Sequence, residues 1–302
     1  MVARSPSNLD LRIGGTRTLR GTLHTVMIWL RPDKVALAGV PALAYFLLGF
    51  VLPLGLMVSI SFGAPHWTLA NYQTLGNAGL FWPLLDNTLR TTAIVTVVTL
   101  VLGYPYAYAM SRARTRVAVL LGAVMLFPFL VSTVVRSFTW VFILEPGGVV
   151  PKVLELIGIA HPPVLLGTEL GVVIGLTQVE LPFVVFPIFA ALTAVKSDYL
   201  AAAASLGASP PRAFALVTVP LSMAGVAVGA LLAIVYTLGS YITPELLGGQ
   251  GSTMIGQGIA LEVQTSLSWG IASTMGTVLF VVTALVLIAS VRLGGQRLLG
   301  GR

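Results

Sequence analysis

Two ionisable side chains, Arg136 and Glu180, sit deep inside the long apolar runs of this 302-residue chain. A charge in hydrocarbon is costly, so such a residue is a candidate functional group, usually paired or facing a water-filled cavity. Arg136 lies about nine residues from the Leu144 end of its run and Glu180 about ten from the Leu170 end of the next, so at about 1.5 Å per helical residue both are roughly 13–15 Å deep. Equal depth makes an ion pair possible. The pair could be purely structural, or Glu180 could also face a cavity and attract a cationic solute; Glu180→Gln would then impair cation uptake more than assembly. Trp140, Phe183 and Tyr241 could offer ring faces to an amine. Aromatic residues near a span end also serve as interfacial anchors. Tyr236 and Thr237 could line the same cavity. Pro182 and Pro187 each remove a backbone hydrogen bond and should bend their helix. In a membrane the freed carbonyls need neighbours or cavity water, so the two prolines fit a path or gate as well as a packing bend.

Other chemistry is poorly supplied. The chain has no cysteine, hence no disulfide framework and no thiolate. His24, His66 and His161 are far apart and lack metal-ligand spacing. No HExxH, paired intramembrane aspartates or Ser–His set is present. No GxxxxGK[ST] run could cradle a nucleotide, and the glycine-rich Gly248–Ser252 stretch lacks the lysine and reads as a flexible loop.

The elements that carry these residues follow from composition. The chain is 56% apolar and only 9% charged, with a mean hydropathy of +0.95, whereas soluble domains carry about a quarter charged residues. A water-soluble protein is excluded. A spanning helix needs about 20 mostly apolar residues. Six segments qualify: Val35–Phe62, Thr88–Met110, Val117–Leu144, Leu170–Val195, Val219–Ser240 and Ile271–Leu293. Six spans put both termini on one side. That side holds 14 of the 17 basic residues: Arg4, Arg12, Arg17, Arg20, Arg31 and Lys34, then Arg112, Arg114 and Arg116, then Lys196 and Arg212, then Arg292, Arg297 and Arg302. The opposite loops hold Lys152 and Arg90 but six of the ten acids. The positive-inside rule therefore predicts cytoplasmic termini. The net charge of +7 is then topological and gives no reason to expect a nucleic-acid partner. Tyr104, Tyr106 and Tyr108 near the inner end of the second span read as interfacial belt residues. Residues 1–34 read as a basic cytoplasmic tail, with an amphipathic patch around Leu19–Leu30 and no pattern of a cleaved signal peptide. Residues 35–293 form one membrane domain, and 294–302 a cytoplasmic C-terminal tail.

One polar insert interrupts the apolar spans on the predicted cytoplasmic side: Ser197–Leu221, SDYLAAAASLGASPPRAFALVTVPL. Its alanines favour helix, Gly207 should end that helix, and Pro210 and Pro211 open a turn. A second short amphipathic piece follows, and Pro220 opens the next apolar run. The predicted helix-turn-helix lies outside the hydrocarbon and invites a docking partner.

The insert resembles the cytoplasmic coupling (EAA) loop of bacterial ABC importer permeases, through Ala202-Ala203, Leu206-Gly207-Ala208, Pro210-Pro211-Arg212, Phe214 and Val219-Pro220-Leu221. The position of the usual glutamate holds Ala201, which removes one acidic contact and leaves the shape. Val135–Trp140 with Gly147-Gly148, Leu181-Pro182-Phe183 with Pro187, Gly239–Gly248, Met254-Ile255-Gly256, and Trp269-Gly270 with Ala272 are similar to the spermidine/putrescine (PotB-like) branch of type I importer permeases, over residues 36–293. The resemblance implies an all-α polytopic membrane protein, six transmembrane helices of the type I ABC importer permease fold with a cytoplasmic coupling helix in residues 197–216. It also implies a bacterial inner-membrane location and a non-catalytic role in importing a small, cationic solute such as a polyamine. Related permeases carry opines, amino acid derivatives or aminophosphonates. The implied partners are an ATPase subunit dimer that binds ATP and Mg, a second permease subunit, an extracytoplasmic substrate-binding protein and the lipid bilayer; this chain itself would bind no cofactor. Asp198, Ala201, Ala202, Ala203, Leu206, Gly207, Ala208, Pro210 and Arg212 would couple to the ATPase. Glu180, Arg136, Trp140, Pro182, Phe183, Tyr236 and Tyr241 would form the substrate path. Gly207→Asp should uncouple transport by blocking close approach. A secondary transporter or channel would need no such docking loop, and internal repeats, its usual mark, are not evident.

Overall fold

The structure, a computed structural model, describes residues 34–77, 79 and 81–299. The basic tail before Lys34, with its Leu19–Leu30 patch, lies outside the described residues. Every regular element among the described residues is helical. Two compact units divide at Gly55 and Leu56. In the first, α1 (Lys34–Phe46) continues into a π turn, Leu47–Val51. Phe46 and Phe50 stack there with centroids 5.2 Å apart, and Leu43, Leu48 and Phe50 are exposed.

Helix α2 (Leu52–Ser61) straddles the division, and the second unit carries every later helix. After α2 and α3 (Ala70–Asn77) come α4 (Phe81–Arg112), α5 (Thr115–Leu126), α6 (Thr133–Leu144) and α7 (Val149–Leu156). Then follow α8 (Glu169–Thr193), α9 (Ser197–Ser205), α10 (Pro210–Ala213), α11 (Val219–Leu238), α12 (Ile242–Leu247), α13 (Ile255–Gln264) and α14 (Trp269–Leu299). Five helical runs among the described residues are long and apolar enough to cross a membrane: Gly39–Ser61, Phe81–Arg112, Glu169–Thr193, Pro210–Leu238 and Trp269–Ser290. A sixth span exists only as a bent pair, Thr115–Leu130 and Thr133–Leu156, meeting at 98°.

That break corrects the reading of Val117–Leu144 as one span. Phe127–Leu130 winds as a 3-10 turn with a proline, Pro128, in its first positions, and Val131 and Ser132 are extended. Hydropathy cannot see the change, because both arms are equally apolar. The equal-depth count for Arg136 assumed a straight helix and fails with it.

The core is the trio α4, α8 and α11, which make the most extensive helix contacts. Helix α8 is central, with Val172, Leu176, Val184, Val185 and Ile188 all buried. Its neighbours reach it through missing side chains. A Cβ on Gly103 of α4 would lie 3.0 Å from Val184 Cγ1, and one on Gly229 of α11 would lie 3.2 Å from Val184 Cα. On α11 the small or buried positions Gly225, Gly229, Ala233 and Thr237 recur every four residues, along one face. With no aqueous hydrophobic effect between helices in lipid, association relies on such close backbone packing. Pro182 and Pro187 sit inside α8, and the helix stays continuous from Glu169 to Thr193. The Pro187 carbonyl is packed close to the backbone of Gly225, where a Cβ would come within 2.5 Å.

Two of the three tyrosines near the end of α4 turn their hydroxyls into the protein. Tyr104 shares a 2.9 Å hydrogen bond with Ser222, and the Tyr106 hydroxyl donates to the Leu121 carbonyl at 2.8 Å. Both satisfy their hydroxyls inside the protein.

Candidate functional sites

The loop between α8 and α11 is built by local chemistry. Its alanine run favours helix, and Asp198 in the first turn complements the positive helix end. Helix α9 then stops in a paired turn. The Gly207 amide donates to the Ala204 carbonyl at 2.9 Å, and the Ala208 amide to Ala203 at 3.0 Å. This double closure requires a left-handed residue between the two bonds, and Gly207 has φ +83°. Among the described residues, chain neighbours aside, nothing lies within 4 Å of a Cβ placed there. Within this chain, then, glycine is needed at 207 for its dihedral rather than for room. Ser209 is extended, and Pro210 and Pro211 occupy the first turn of α10, where their missing amides cost nothing.

The second arm departs from expectation. No short amphipathic piece separates the turn from the span: Pro210 to Leu238 is one helical run. A π turn, Phe214–Thr218, precedes Pro220, and the Val219 amide bonds the Phe214 carbonyl. The wider turn lets the helix absorb Pro220, whose ring cannot follow an ordinary hydrogen-bonded turn without conflict.

The loop leaves an outward surface. Asp198, Ala201, Ala202, Gly207, Pro210 and Arg212 are exposed, Ala203 and Ala208 half-buried. Leu206 is 89% exposed and Tyr199 51%.

The second site lies where α6, α11 and α12 meet. A cavity of about 450 Å³ is lined by Thr133, Val235, Tyr236, Gly239, Ser240, Tyr241, Ile242 and Thr243. Its lining combines hydroxyls and tyrosine rings with the aliphatic Val235 and Ile242, and none of these side chains is charged. Behind Tyr236 runs an aromatic series: Tyr236 to Phe183 at 5.5 Å, Phe183 to Phe129 at 5.3 Å, and Arg136 over the Phe129 ring at 5.5 Å. Arg136 is buried, and its guanidinium donates to the Pro128 carbonyl at 3.2 Å and the Thr133 hydroxyl at 3.3 Å. It thus ties the 3-10 turn to the first turn of α6, across the break.

Glu180 stands elsewhere. It is fully buried between α8 and α11, and its Oε1 accepts from the Thr237 hydroxyl, the last member of the small-residue stripe. Its Oε2 has no hydrogen-bond partner among the described residues. Arg136 and Glu180 do not pair; among the described residues the one ion pair is Arg90–Glu169, at 2.9 Å. Of Arg136, Glu180 and Tyr236, Tyr236 alone lines the cavity. Trp140 is turned the other way, donating toward Gln178 at 3.4 Å and packing on the Val95–Leu144 cluster. Pro182 is buried inside α8. Of the seven residues expected along the path, Tyr236 and Tyr241 line the cavity, Phe183 and Arg136 stand behind it, and Glu180, Trp140 and Pro182 serve helix contacts. Sequence reasoning missed Thr133, Ser240 and Thr243. The four-residue spacing of small residues on α11 was the available signal for how Glu180 is held.

Residues 100–300 match the family described as the binding-protein-dependent transport system inner membrane component. The chain is 31% identical over 226 residues to the spermidine/putrescine transport system permease protein PotB of Haemophilus influenzae, covering 74% of this chain and 79% of that protein. It is 29% identical over 229 residues to PotB of Escherichia coli K12, covering 76% and 83%. Among solved structures it is similar to a chain of a bacterial ABC transporter involved in import of the acidic polysaccharide alginate, with a TM-score of 0.75, 17% identity, and coverage of 92% of this chain and 99% of that one.

Proposed function

The chain belongs to the family of binding-protein-dependent transport inner membrane components, and on that premise we propose that it forms half of the translocation path of an ABC importer for a polyamine such as spermidine or putrescine. It has the fold of ABC importer permeases and is a multi-pass membrane protein. In our reading ATP hydrolysis, with its Mg, belongs to a partner ATPase dimer. The other half of the path comes from a second permease subunit, and solute arrives on an extracytoplasmic binding protein. Both termini and the α9 loop face the cytoplasm of a bacterial inner membrane.

The observation that carries this reading is the solvent-facing α9, closed by left-handed Gly207 with Leu206 almost fully exposed. An apolar side chain on the tip of a rigid turn is suited to a groove on a partner. Gly207, Ala208 and the alanines of α9 keep that approach shallow. Asp198 and Arg212 flank it with charges of opposite sign, and Ala201 contributes only a methyl group to the contact. The movement of the ATPase dimer would tilt α9 and α10, and with them α8 and α11.

The polyamine reading rests on the PotB relatives and on the cavity. Tyr236 and Tyr241 offer rings and hydroxyls to an ammonium group, with Phe183 behind them. Arg136 shapes the wall through the Thr133 contact. Glu180, Trp140 and Pro182 position the helices that bear these rings. The test is purification: an ATPase subunit should co-purify and be needed for uptake into vesicles, and uptake without one would favour a secondary transporter or channel. Calorimetry on the partner binding protein should show putrescine or spermidine binding; binding of an opine or amino acid instead would replace the substrate and keep the machinery.

A further inference from the structure

The chain itself joins the α9 loop to α8 and α11, and among the described residues a side-chain joint ties it to the third core helix, α4. Phe214, the first residue of the π turn, lies edge-on to two rings of α4: Tyr104 at 6.2 Å and Tyr108 at 5.0 Å, with interplanar angles of 75° and 76°. Two edge-to-face contacts on one ring fix its position along and across the helix. The clasp is reinforced on both sides. One turn deeper, Tyr104 shares its hydrogen bond with Ser222, itself fully buried. Toward the loop, the Arg112 guanidinium covers the Tyr108 ring at 5.5 Å. Residues 104, 108 and 112 are spaced by four along α4, so they form one stripe. The π turn joins the clasped ring to Pro220 and α11 in a continuous helix.

We propose that Phe214, held between Tyr104 and Tyr108, is the positioning residue through which movement of the docking helix α9 enters the α4–α8–α11 core. The proposal rests on the reading of α9 as the ATPase-docking element. Without the ring, α10 can tilt while α4 stays still, so ATP is hydrolysed without reshaping the cavity. Tyr104 and Tyr108 act from the receiving side of the same joint.

The chain has no cysteine, so Ser240→Cys places a single reporter thiol at the cavity. The complex with its ATPase partner is purified in that background with Phe214 intact, as Phe214→Ala and as Phe214→Tyr. Labelling by a maleimide is timed with and without ATP and vanadate. With Phe214 intact, nucleotide should change the labelling rate by about fivefold or more, the scale of a working coupling between sites. Phe214→Ala should hydrolyse ATP near the parental rate and lose the nucleotide effect, and Phe214→Tyr should restore it. Tyr108→Ala should produce the same loss, and the double variant should be no worse than either alone, since both break one contact. If Phe214→Ala does not assemble with the ATPase, Tyr108→Leu tests the contact from α4 without altering the loop. A full nucleotide effect in Phe214→Ala or Tyr108→Leu, or loss of hydrolysis and labelling change in proportion, overturns the proposal. Absence of a co-purifying ATPase with Phe214 intact overturns the docking reading instead.

Discussion

At Gly207 a backbone dihedral decides what is tolerated. The left-handed conformation there disfavours any residue with a Cβ by about 1–2 kcal/mol, least for asparagine. Gly207→Val should therefore open the turn that closes α9 and abolish uptake, while Gly207→Asn keeps most of it; vesicle uptake with parallel ATPase measurement separates the two. Because no described residue crowds position 207, a Gly207→Asp defect beyond that of Asn would report contact with a partner. Thr237 is the complementary case inside the core. Its hydroxyl is the one hydrogen-bond partner of the buried Glu180 carboxylate among the described residues. Thr237→Val keeps the shape and removes the donor, and an unsatisfied buried group costs about 1–3 kcal/mol. Thermal unfolding in detergent should show a lowered midpoint for Thr237→Val and a near-parental one for Thr237→Ser. Glu180→Gln keeps an acceptor for Thr237 and should assemble normally.

At the level of elements, α8 is seated by what its neighbours lack. Gly229→Leu would force a side chain into the Val184 backbone, where the Cβ alone already lies at 3.2 Å. Such overpacking costs about 1–3 kcal/mol or more, so the variant should lose folded protein at size-exclusion chromatography while Gly229→Ala survives in part. The broken third span depends on Arg136. Arg136→Met removes its bonds to the Pro128 carbonyl and Thr133, at about 1.5–3 kcal/mol for hydrogen bonds from a charged donor, and should destabilise the protein more than Arg136→Lys. Apolar length made the number of spans legible, and the Ala-rich run with Gly207 made α9 legible. The 98° break was not, because hydropathy is blind to direction; Pro128 between two phenylalanines was its only mark. Nor was the π turn, which a pattern of apolar residues does not distinguish from ordinary helix. The proposed Arg136–Glu180 pair failed for the same reason, since depth counted along a sequence assumes a straight axis.

Over the whole molecule, spacing and charge marked the helical turn of α9 well and the cavity lining only in part. Tyr236 and Tyr241 reach the cavity because α11 ends at Leu238 and α12 begins at Ile242, a turn whose fold depends on contacts with α6 and α8 that are distant in sequence. Glu180 and Trp140 were chosen by residue type, and type does not say which neighbour fills the space in front of a side chain. A chain of a transporter involved in alginate import shares this fold at 17% identity, so the fold alone does not name a substrate. In the proposed function α9 is a cytosolic knob held by an ATPase. Leu206→Cys, at the tip and the sole thiol in a chain without cysteine, tests this directly. In intact cells an impermeant maleimide should leave it unlabelled, and in the purified complex a bifunctional reagent should join it to the ATP-hydrolysing subunit. Labelling from outside, or a complex in which Leu206→Cys joins no ATPase, would contradict the account.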